Sequence, residues 1–566
     1  MAYRQEHPKP QFERADWMNL NGKWEFQNDP CNSGGGRWLQ NLSAEFDSEI
    51  EVPFCPQSEL SGIGEKDFYR AVWYRRTVNV IERQLSGIVK LHFGAVDYET
   101  KVYINGTECG THKGGYASFA FDITGLLKAG ENTITVYVTD DERDFLIPSG
   151  KQSGGYDSYG CFYTRTTGIW QTVWLEFMPE THIESFKLIP DINTCSLTVQ
   201  AQLAGCADLT LYSEFEGEAM GSVTVKDAAG NITFNLPLKE KHLWELGKGG
   251  LYDLEFTFGE DKVKSYFGLR SIDYRDYKFF LNGKSVFQRL VLDQGYYPDG
   301  IYTARNDSEL EADIDRSMAM GFNGARLHEK VFEERFLYHC DRKGYIVWGE
   351  YPNWGVDISK PMVIYSVLPE WLEVIERDFN HPSIVGWCPL NETWDYEGHK
   401  QFEPILTNIY HVTKAADPTR PCIDTSGNYH IITDIYDVHN YEQNPESFKA
   451  AYGNLPGGEV WECCGDRQKY DGKLPFFVSE YGGIRWTENE SGWGYGDAPQ
   501  TEEEFIARIK GLNDALLDNE YVFAFCFTQL TDVEQEQNGL YTYDRKPKVD
   551  PEVIRPLFAR KAAIED

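Results

Sequence analysis

The length and charge of this chain limit what kind of protein it is. Its 566 residues are 41% hydrophobic and 25% charged, a globular composition, and the length predicts roughly three to four domains. The net charge of −35 excludes nucleic acid and anionic membrane surfaces as partners, because both would be repelled, and it disfavours anionic substrates less decisively.

The amino terminus and the cysteines predict a cytoplasmic protein. Residues 1–17 contain no apolar run typical of a signal peptide, and no apolar stretch approaches the roughly 20 residues that span a bilayer. The 12 cysteines are scattered, and Cys388, Cys422 and Cys526 stand inside apolar strand patterns, as reduced thiols do. Without CxxC pairs or an HExxH motif in the sequence, a structural zinc site is not expected.

The first 270 residues have the pattern of two β-domains. Residues 1–180 contain short alternating runs such as 87–96, 101–110 and 132–140, separated by Gly, Asn and Asp turns, which predicts a jelly-roll sandwich. Residues 181–270 contain five further strand-like runs. Their spacing and the total of about 90 residues favour an immunoglobulin-like β-sandwich.

From residue 271 to 566, strands alternate with amphipathic helices. Residues 307–321 and 502–520 have helical apolar spacing, the first after a capping Asp or Ser. Eight strand candidates are present: 286–292, 323–328, 344–350, 383–391, 421–426, 436–441, 475–480 and 521–529. Eight strands with intervening helices predict a (β/α)₈ TIM barrel.

Two of these strands end on a glutamate. Within the segment 383–394 the strand ends at Glu392, and within the segment 475–483 it ends at Glu480, each after a run too apolar for a loop. With 89 acidic residues in the chain, ordinary surface charge is the simpler interpretation. A carboxylate at the mouth of a buried strand is costly unless it is used or paired, and the carboxyl ends of barrel strands share one face.

A pair of carboxyl groups on that face is what glycosidic bond cleavage requires, one as proton donor and one as nucleophile. We predict Glu480 as the nucleophile, with the Tyr481 phenol hydrogen-bonded to its carboxylate. We predict Glu392 as the acid/base, with Asn391 hydrogen-bonded to a substrate hydroxyl. The two environments are expected to separate the two pKa values.

Other polar side chains at strand ends form a predicted sugar pocket. The candidates are Asp293, His328, Glu350, His439 and Tyr441, to which the Trp-rich loop 486–497 adds Trp486. Singly, each is more often a structural hydrogen-bonding group, and loop tryptophans equally form contacts between subunits, so a homo-oligomer stays open.

Several segments resemble glycoside hydrolase family 2, which contains β-galactosidases, β-glucuronidases and β-mannosidases. The resemblance lies in RTTGIWQTVWLE (165–176), in 251–272 and 321–350, in NHPSIVGWCPLNETW (380–394) and in FFVSEYGG (476–483), and it covers nearly the whole chain. It implies the same roles for Glu392, Glu480 and Asn391, and a retaining reaction. It implies no cofactor, and no obligatory metal, because the metal site of the large galactosidases cannot be traced here.

The resemblance also bears on the sugar. In the family's β-glucuronidases an Asn-x-Lys motif receives the substrate carboxylate, and here Glu536 and Asn538 stand in those places, so two carboxylates would face each other. The common His-Tyr-Pro after strand two is His-Glu-Lys at 328–330. We therefore expect a neutral sugar, and name Arg289 and Arg485 as the cations to inspect for a uronate.

The sequence thus predicts a retaining exo-β-glycosidase that removes terminal non-reducing sugars from a small glycoside through a covalent glycosyl-enzyme. A β-galactosidase is the first expectation, and a β-glucuronidase or an α-L-arabinopyranosidase is the alternative. A non-catalytic carbohydrate-binding protein is the alternative from another class. A jelly-roll loop around 159–167 is a candidate to complete the pocket.

Overall fold

The computed structural model describes residues 3–395, 398, 400–487 and 492–565. In chain order they form two antiparallel β regions followed by a barrel of parallel strands surrounded by helices. Among these residues, no helix is both long and apolar enough to cross a membrane.

The amino-terminal region consists of twelve strands. They are β1 (Trp17–Asn19), β2 (Gly22–Asn28), β3 (Ser48–Val52), β4 (Ala71–Val80), β5 (Ile88–Phe93), β6 (Val96–Asp97), β7 (Glu99–Ile104), β8 (Thr107–Lys113), β9 (Phe119–Asp122), β10 (Gly130–Thr139), β11 (Gly168–Ile169) and β12 (Val173–Met178). One sheet has the order β1-β12-β5-β9 and the other β3-β2-β4-β10-β7-β8. Alternate residues of both sheets, such as Leu91 and Val136, share one buried core, as expected for a sandwich.

The middle region is one antiparallel sheet with unusually long strands. Its strands are β13 (His182–Asp191), β14 (Ser196–Phe215), β15 (Glu218–Pro237), β16 (Leu251–Phe258) and β17 (Asp261–Gly268). The four short runs expected between residues 196 and 238 are two strands of 20 residues each. Register shifts within the β14–β15 pair stand where the sequence pattern suggested breaks between strands.

The barrel region begins with a small antiparallel sheet of β18 (Ile272–Arg275), β19 (Lys278–Leu281) and β20 (Lys284–Ser285). The parallel strands are β21 (Gln288–Asp293), β22 (Gly324–Leu327), β23 (Ile346–Glu350), β24 (Ile384–Cys388), β25 (Tyr436–Asn440), β26 (Phe476–Gly482) and β27 (Val522–Thr528). The helices are α1 (Asp307–Ala319), α2 (Glu334–Lys343), α3 (Ile364–Asp378), α4 (Glu403–Ala416), α5 (Pro445–Tyr452), α6 (Glu502–Leu517) and α7 (Pro551–Ala559). The strands pair in the order β24-β23-β22-β21-β27-β26-β25, and one helix follows each strand.

The predicted fifth strand, 421–426, is not a regular strand. It nevertheless fills the fifth place in the barrel, because it pairs with the segment after β24 through parallel bridges at Trp387–Cys422 and Asn391–Ser426. The backbone N–H of Glu392 donates to the Ser426 carbonyl at 2.8 Å. The segment that carries Glu392 is therefore held in the barrel by hydrogen bonds rather than left as a free loop.

Both predicted helices are present, as α1 and α6, and side chains fix where they begin. The Asn306 side chain accepts a hydrogen bond from the Glu309 N–H and so caps α1 one residue earlier than the sequence pattern suggested. Thr501 caps α6 in the same way. These caps satisfy backbone donors that the first turn of a helix leaves unpaired.

Candidate active site

The two predicted glutamates meet at the carboxyl end of the barrel. Glu480 lies within β26, and Glu392 lies four residues beyond β24. His439, near the end of β25, stands between them, with its Nδ1 2.6 Å from the Glu392 Oε1 and 3.4 Å from the Glu480 Oε2. One ligand atom from each of the three residues lies within 4.8 Å of the others, so the two carboxylates are close enough for a retaining glycosidase, whose carboxyl groups are about 5–5.5 Å apart.

Arg326 was not among the predicted site residues, but it holds three side chains of the site in place. It lies in β22 and is 1% exposed. Its guanidinium donates to Glu350 at 2.6 Å, to Glu480 at 3.0 Å and to the Asn391 Oδ1 at 3.1 Å. An arginine in the middle of the apolar strand GARL was the signal in the sequence, because a buried cation needs acidic partners.

His328 and Glu350 support this arginine rather than face an open pocket. The Glu350 Oε1 accepts from Arg326, while its Oε2 lies 3.1 Å from the His328 Nδ1. Burial, together with the nearby Lys151 charge, lowers the pKa of His328 well below its ordinary value, so the imidazole is neutral.

The phenol that hydrogen-bonds Glu480 is Tyr441, and the expectation for Tyr481 was wrong. The Tyr441 hydroxyl donates to the Glu480 Oε2 at 2.5 Å, and its ring stacks on Tyr495. Tyr481 points to the other side of the strand, where its hydroxyl donates to the Asn513 Oδ1 of α6 at 2.5 Å. Neighbouring residues on a strand point to opposite faces, so Tyr481 cannot share the face of Glu480.

Charge interactions between His439 and the two glutamates shift the pKa values of all three groups. Burial alone would raise the pKa of Glu480, but the His439 and Arg326 charges outweigh it and the pKa is lowered. The pKa of Glu392 is likewise lowered, because the His439 hydrogen bond and charge outweigh burial. Burial would lower the pKa of His439, yet the two carboxylates raise it. The shifts of the two glutamates thus have the same direction and the same main cause, the nearby His439.

Asn391 presents an unused donor. Its Oδ1 accepts from Arg326, but its Nδ2 has no hydrogen-bond partner among the described residues although the residue is 2% exposed. Its backbone is fixed, since its N–H donates to the Asn353 Oδ1 at 2.6 Å and its carbonyl accepts from the Trp354 Nε1 at 3.2 Å. A buried, fixed and unpaired donor is suited to a ligand hydroxyl.

Glu536 and Asn538 lie side by side and form a second wall of the site, where Glu536 interacts electrostatically with Lys151 and Glu480. Both carboxylate oxygens of Glu536 are occupied: one accepts from the Tyr163 hydroxyl and the other from the Asn538 Nδ2 at 3.0 Å. Gln529 donates in turn to the Asn538 Oδ1 at 2.8 Å. Burial raises the pKa of Glu536. The carboxyl group is held by two donors and does not stand free against a substrate.

Two predicted site residues lie elsewhere. Asp293 accepts from the Gly295 N–H at 2.9 Å and points towards α1, where burial and the neighbouring Asp313 raise its pKa to about 6. Trp486 stacks on Phe505 of α6, with ring centroids 5.3 Å apart, so its ring covers a helix instead of the sugar pocket. Part of the Trp-rich loop, 488–491, lies outside the described residues.

The two arginines considered as binding groups for a uronate also have other hydrogen-bond partners. Arg289 lies at the start of β21, hence at the opposite end of the barrel, and pairs with Glu565 at 2.6 Å. Arg485 donates to the Gly492 carbonyl at 3.2 Å. Neither contacts the two glutamates within the described structure.

The amino-terminal region reaches the pocket through residues 149–163. Phe162 packs on Trp354 of the barrel, with centroids 5.2 Å apart, and Tyr163 donates to Glu536. The Gln535 side chain donates to the carbonyls of Gly160 and Phe162 at 2.8 and 3.0 Å. This part of the jelly roll therefore contributes to the wall, as expected around 159–167, and it adds Lys151, which the sequence analysis missed.

Glu392, His439 and Glu480 are also the donor set that could hold a metal ion among the described residues. A carboxylate–imidazole–carboxylate set suits a divalent cation, but the short His439–Glu392 hydrogen bond and the raised pKa of His439 suit a bound proton at the same place.

The sequence matches two models of one family. Residues 63–179 match the sugar binding domain of glycosyl hydrolases family 2, and residues 272–559 match the TIM barrel domain of that family. A β-glucuronidase of Felis catus is 24% identical over 99% of this chain and 93% of its own length. A β-galactosidase of Thermoanaerobacter pseudethanolicus is 27% identical over 71% of this chain and 55% of its own length.

A solved structure has the same fold along its whole length. The β-glucuronidase of an uncultured Clostridium sp. superposes with a TM-score of 0.79 at 21% identity, over 99% of both chains. The chain spans about half the length of several curated relatives that it matches. The predicted fold class and the resemblance are thus confirmed, and the chain belongs to glycoside hydrolase family 2.

Proposed function

We propose that this chain is a retaining exo-β-glycosidase in which Glu480 is the nucleophile and Glu392 is the acid/base. The observation that supports the proposal best is the pair of carboxylates at the carboxyl end of one barrel, Glu480 buried and Glu392 half-buried, which lie within 4.8 Å of each other and are linked through His439.

In the first step the Glu480 carboxylate attacks the anomeric carbon. A bond from Glu480 to that carbon forms, the glycosidic C–O bond breaks, and Glu392 gives its proton to the departing oxygen. In the second step Glu392 removes a proton from a water molecule, which attacks the same carbon and releases Glu480. Two inversions give net retention of configuration.

The side chains around Glu480 favour its ionised form as the attacking group. Arg326 and Tyr441 each donate to one of its oxygens, at 3.0 and 2.5 Å. Hydrogen bonds and charges that stabilise a carboxylate lower its pKa, so Glu480 is ready to attack at neutral pH.

Glu392 must hold a proton before it can donate one. The nearest proton source is His439, whose Nδ1 lies 2.6 Å from the Glu392 Oε1 and whose pKa the two carboxylates raise. Transfer along this hydrogen bond makes Glu392 a neutral acid and leaves His439 a neutral imidazole. Because the Glu480 charge raises the pKa of His439, consumption of that charge in the first step favours the same direction of transfer.

The unpaired Asn391 Nδ2 supplies a hydrogen bond to a hydroxyl beside the anomeric centre. Such a bond strengthens as positive charge develops on the sugar ring, which contributes several kcal/mol in this class of reaction.

For the sugar, we propose a terminal β-D-glucuronide in place of the β-galactoside first expected. Most of the relatives compared are named β-glucuronidase. The objection that Glu536 would face the uronate is weakened, because both of its oxygens are already hydrogen-bonded. A β-galactoside is the second candidate, favoured by the acidic Glu536 wall and by relatives named β-galactosidase.

The experiment is hydrolysis of p-nitrophenyl glycosides by the wild type beside Glu480→Gln. The panel holds the β-glucuronide, β-galactoside, β-glucoside, β-mannoside and α-L-arabinopyranoside. We expect the glucuronide to be cleaved fastest, with a β-configured first product by NMR, and the signal to vanish in Glu480→Gln. Fastest cleavage of another sugar would overturn the glucuronide. An inverted product would overturn the retaining mechanism, and no cleavage by folded protein would favour a binding protein.

We further propose that the enzyme works in the cytoplasm. Scattered cysteines inside apolar strands support this location. Fractionation of the native cells, with activity on the preferred glycoside as the marker, tests it.

A further inference from the structure

Lys151 is a buried cation without an acidic partner. It is 6% exposed, and within the described part of the chain no carboxylate oxygen lies within the 4.0 Å of its Nζ that would make an ion pair. Its ammonium instead lies over the Trp354 ring, 3.6 Å from the centroid. Buried lysines are rare unless paired, so an unpaired one indicates a group that is still to bind.

The position of Lys151 is fixed by backbone hydrogen bonds. The N–H groups of Ser149 and Gly150 donate to the Trp354 carbonyl at 2.8 and 3.0 Å, which ties the segment to the rim of the barrel. The Lys151 carbonyl accepts from the Tyr163 N–H at 2.8 Å. The residue therefore lies beside both Trp354 and Tyr163.

These two neighbours contact different parts of the site. The Trp354 indole donates to the carbonyl of Asn391, which precedes Glu392, whereas the Tyr163 hydroxyl donates to Glu536. Lys151 thus lies next to residues that contact both the Glu392 segment and Glu536. Its ammonium also interacts electrostatically with Glu536, Glu392 and Glu480.

The electrostatic environment keeps Lys151 charged. Burial alone would lower its pKa, but attraction to Cys161, Glu536 and Glu392, with a further contribution from Glu480, outweighs burial and raises the pKa. The ammonium therefore interacts with the catalytic carboxylates over a distance without forming an ion pair to any of them.

The other buried cations near the site already have hydrogen-bond or ion-pair partners. Arg326 donates to Glu350 and Glu480. Lys330 donates to the carbonyls of Gly295 and Tyr302, at 2.5 and 2.8 Å. Lys548 pairs with Asp532 at 2.6 Å. Of these cations, Lys151 alone has neither a carboxylate nor a carbonyl hydrogen-bonded to its charged group within the described residues.

We propose that Lys151, supplied by the jelly roll, binds the carboxylate of a uronide in the pocket and so selects acidic over neutral sugars. The inference rests on the proposed function. It also explains how a uronate is tolerated beside Glu536: the ammonium places a positive charge between the two carboxyl groups. The competing hypothesis is that Lys151 only balances the negative charge of Glu392 and Glu480. That hypothesis predicts no preference for an acidic sugar.

The test is the ratio of kcat/KM values for p-nitrophenyl β-D-glucuronide and its methyl ester, which differ in one charge. We expect Lys151→Met to lower this ratio at least about 30-fold, since losing one partner of a buried charge pair costs about 2 kcal/mol or more. Lys151→Arg should restore much of it. Lys113→Met, an exposed jelly-roll lysine 3.4 Å from Glu99, is the matched control and should leave the ratio unchanged.

The outcome that would overturn the inference is an equal loss for acid and ester, accompanied by a shifted pH profile, because that pattern belongs to a counter-charge. Calorimetric binding of uronic isofagomine and isofagomine, in proteins whose thermal unfolding matches the wild type, decides the case independently of hydrolysis. If the wild type cleaves no glucuronide, the proposed sugar fails. A uronic preference in binding that Lys151→Met removes would still support Lys151, and a wild type without that preference would overturn it.

Discussion

The two ends of the barrel each contain a buried arginine, and the two are satisfied in different ways. At the amino end Arg289 pairs with Glu565 at 2.6 Å and donates to the carbonyls of Phe558 and Arg560 at 3.0 and 2.6 Å. At the carboxyl end Arg326 donates to Glu350, Glu480 and Asn391.

Arg289 and Arg326 differ in the kind of group that each of them holds. The partners of Arg289 are backbone carbonyls and a carboxyl-terminal glutamate, which hold the last helix against the barrel. The partners of Arg326 are side chains from different parts of the barrel, and two of them, Glu480 and Asn391, are also proposed to contact the sugar. The same kind of buried cation therefore stabilises the fold at one end and orients the proposed reacting groups at the other, as the two faces of such barrels generally do.

The largest expected effect comes from Glu480→Gln, which should lower kcat by on the order of 10⁴-fold or more, because the attacking carboxylate is lost. The melting temperature should change little, since Glu350 still pairs with Arg326. Release of p-nitrophenol and thermal unfolding measure the two quantities. Residual activity within about tenfold of the wild type would mean that another group attacks the sugar.

The second effect depends on the leaving group. Glu392→Gln should reduce kcat/KM by about 10²–10⁴-fold for a methyl or alkyl glycoside, because general acid catalysis contributes that much. For a dinitrophenyl glycoside the loss should be far smaller, since that oxygen departs without a proton. A plot of log kcat/KM against the pKa of the leaving group measures the difference. Parallel lines for wild type and variant would contradict the assignment.

The comparison of the two arginines is tested by Arg289→Met beside Arg326→Met. Removing one partner of a buried pair should lower the free energy of unfolding by about 3–5 kcal/mol in both. Only Arg326→Met should also abolish turnover under conditions where the protein stays folded. Urea unfolding and kcat at a low temperature separate the two. Loss of kcat in folded Arg289→Met would show that the amino end is coupled to the chemistry.

The smallest expected effect is that of Tyr441→Phe. A hydrogen bond to a charged acceptor contributes about 1.5–3 kcal/mol, so kcat/KM should fall by about 10–100-fold. The phenol stabilises ionised Glu480, whose pKa is lowered from 4.5. Without it that pKa rises, and the acidic limb of the kcat/KM profile should move to higher pH. Tyr481→Phe is the matched control and should leave the limb in place.

Much of the catalytic centre could be predicted from local sequence. Strand direction and apolar runs place Glu392 and Glu480 at the carboxyl ends of strands, and His439 follows from the same pattern. The same rule, applied strictly, would have excluded two candidates. Arg289 is the second residue of β21 and so lies at the opposite end, and Tyr481 follows an inward-facing residue.

What could not be predicted depends on contacts between distant parts of the chain. Lys151 and Trp354 are 203 residues apart in numbering, and Tyr163 and Glu536 are 373 apart. No periodicity in either segment indicates these contacts. The segment 421–426, predicted as a strand, is irregular, and its pairing is completed by isolated bridges and side chains such as Ser426.

The backbone hydrogen bonds of Ser149 and Gly150 to the barrel have a consequence for how this enzyme can change over time. Gly150 has a φ of +55°, and a Cβ there would lie 2.5 Å from the Glu329 carbonyl oxygen. Any larger residue at this position would therefore collide with the barrel. On the roles proposed above, the reacting groups belong to the barrel, whereas part of the sugar preference belongs to the jelly-roll segment. Exchange of residues 149–163 between homologues would then transfer substrate choice while the reacting atoms keep their places, and the two traits can diverge under independent selection.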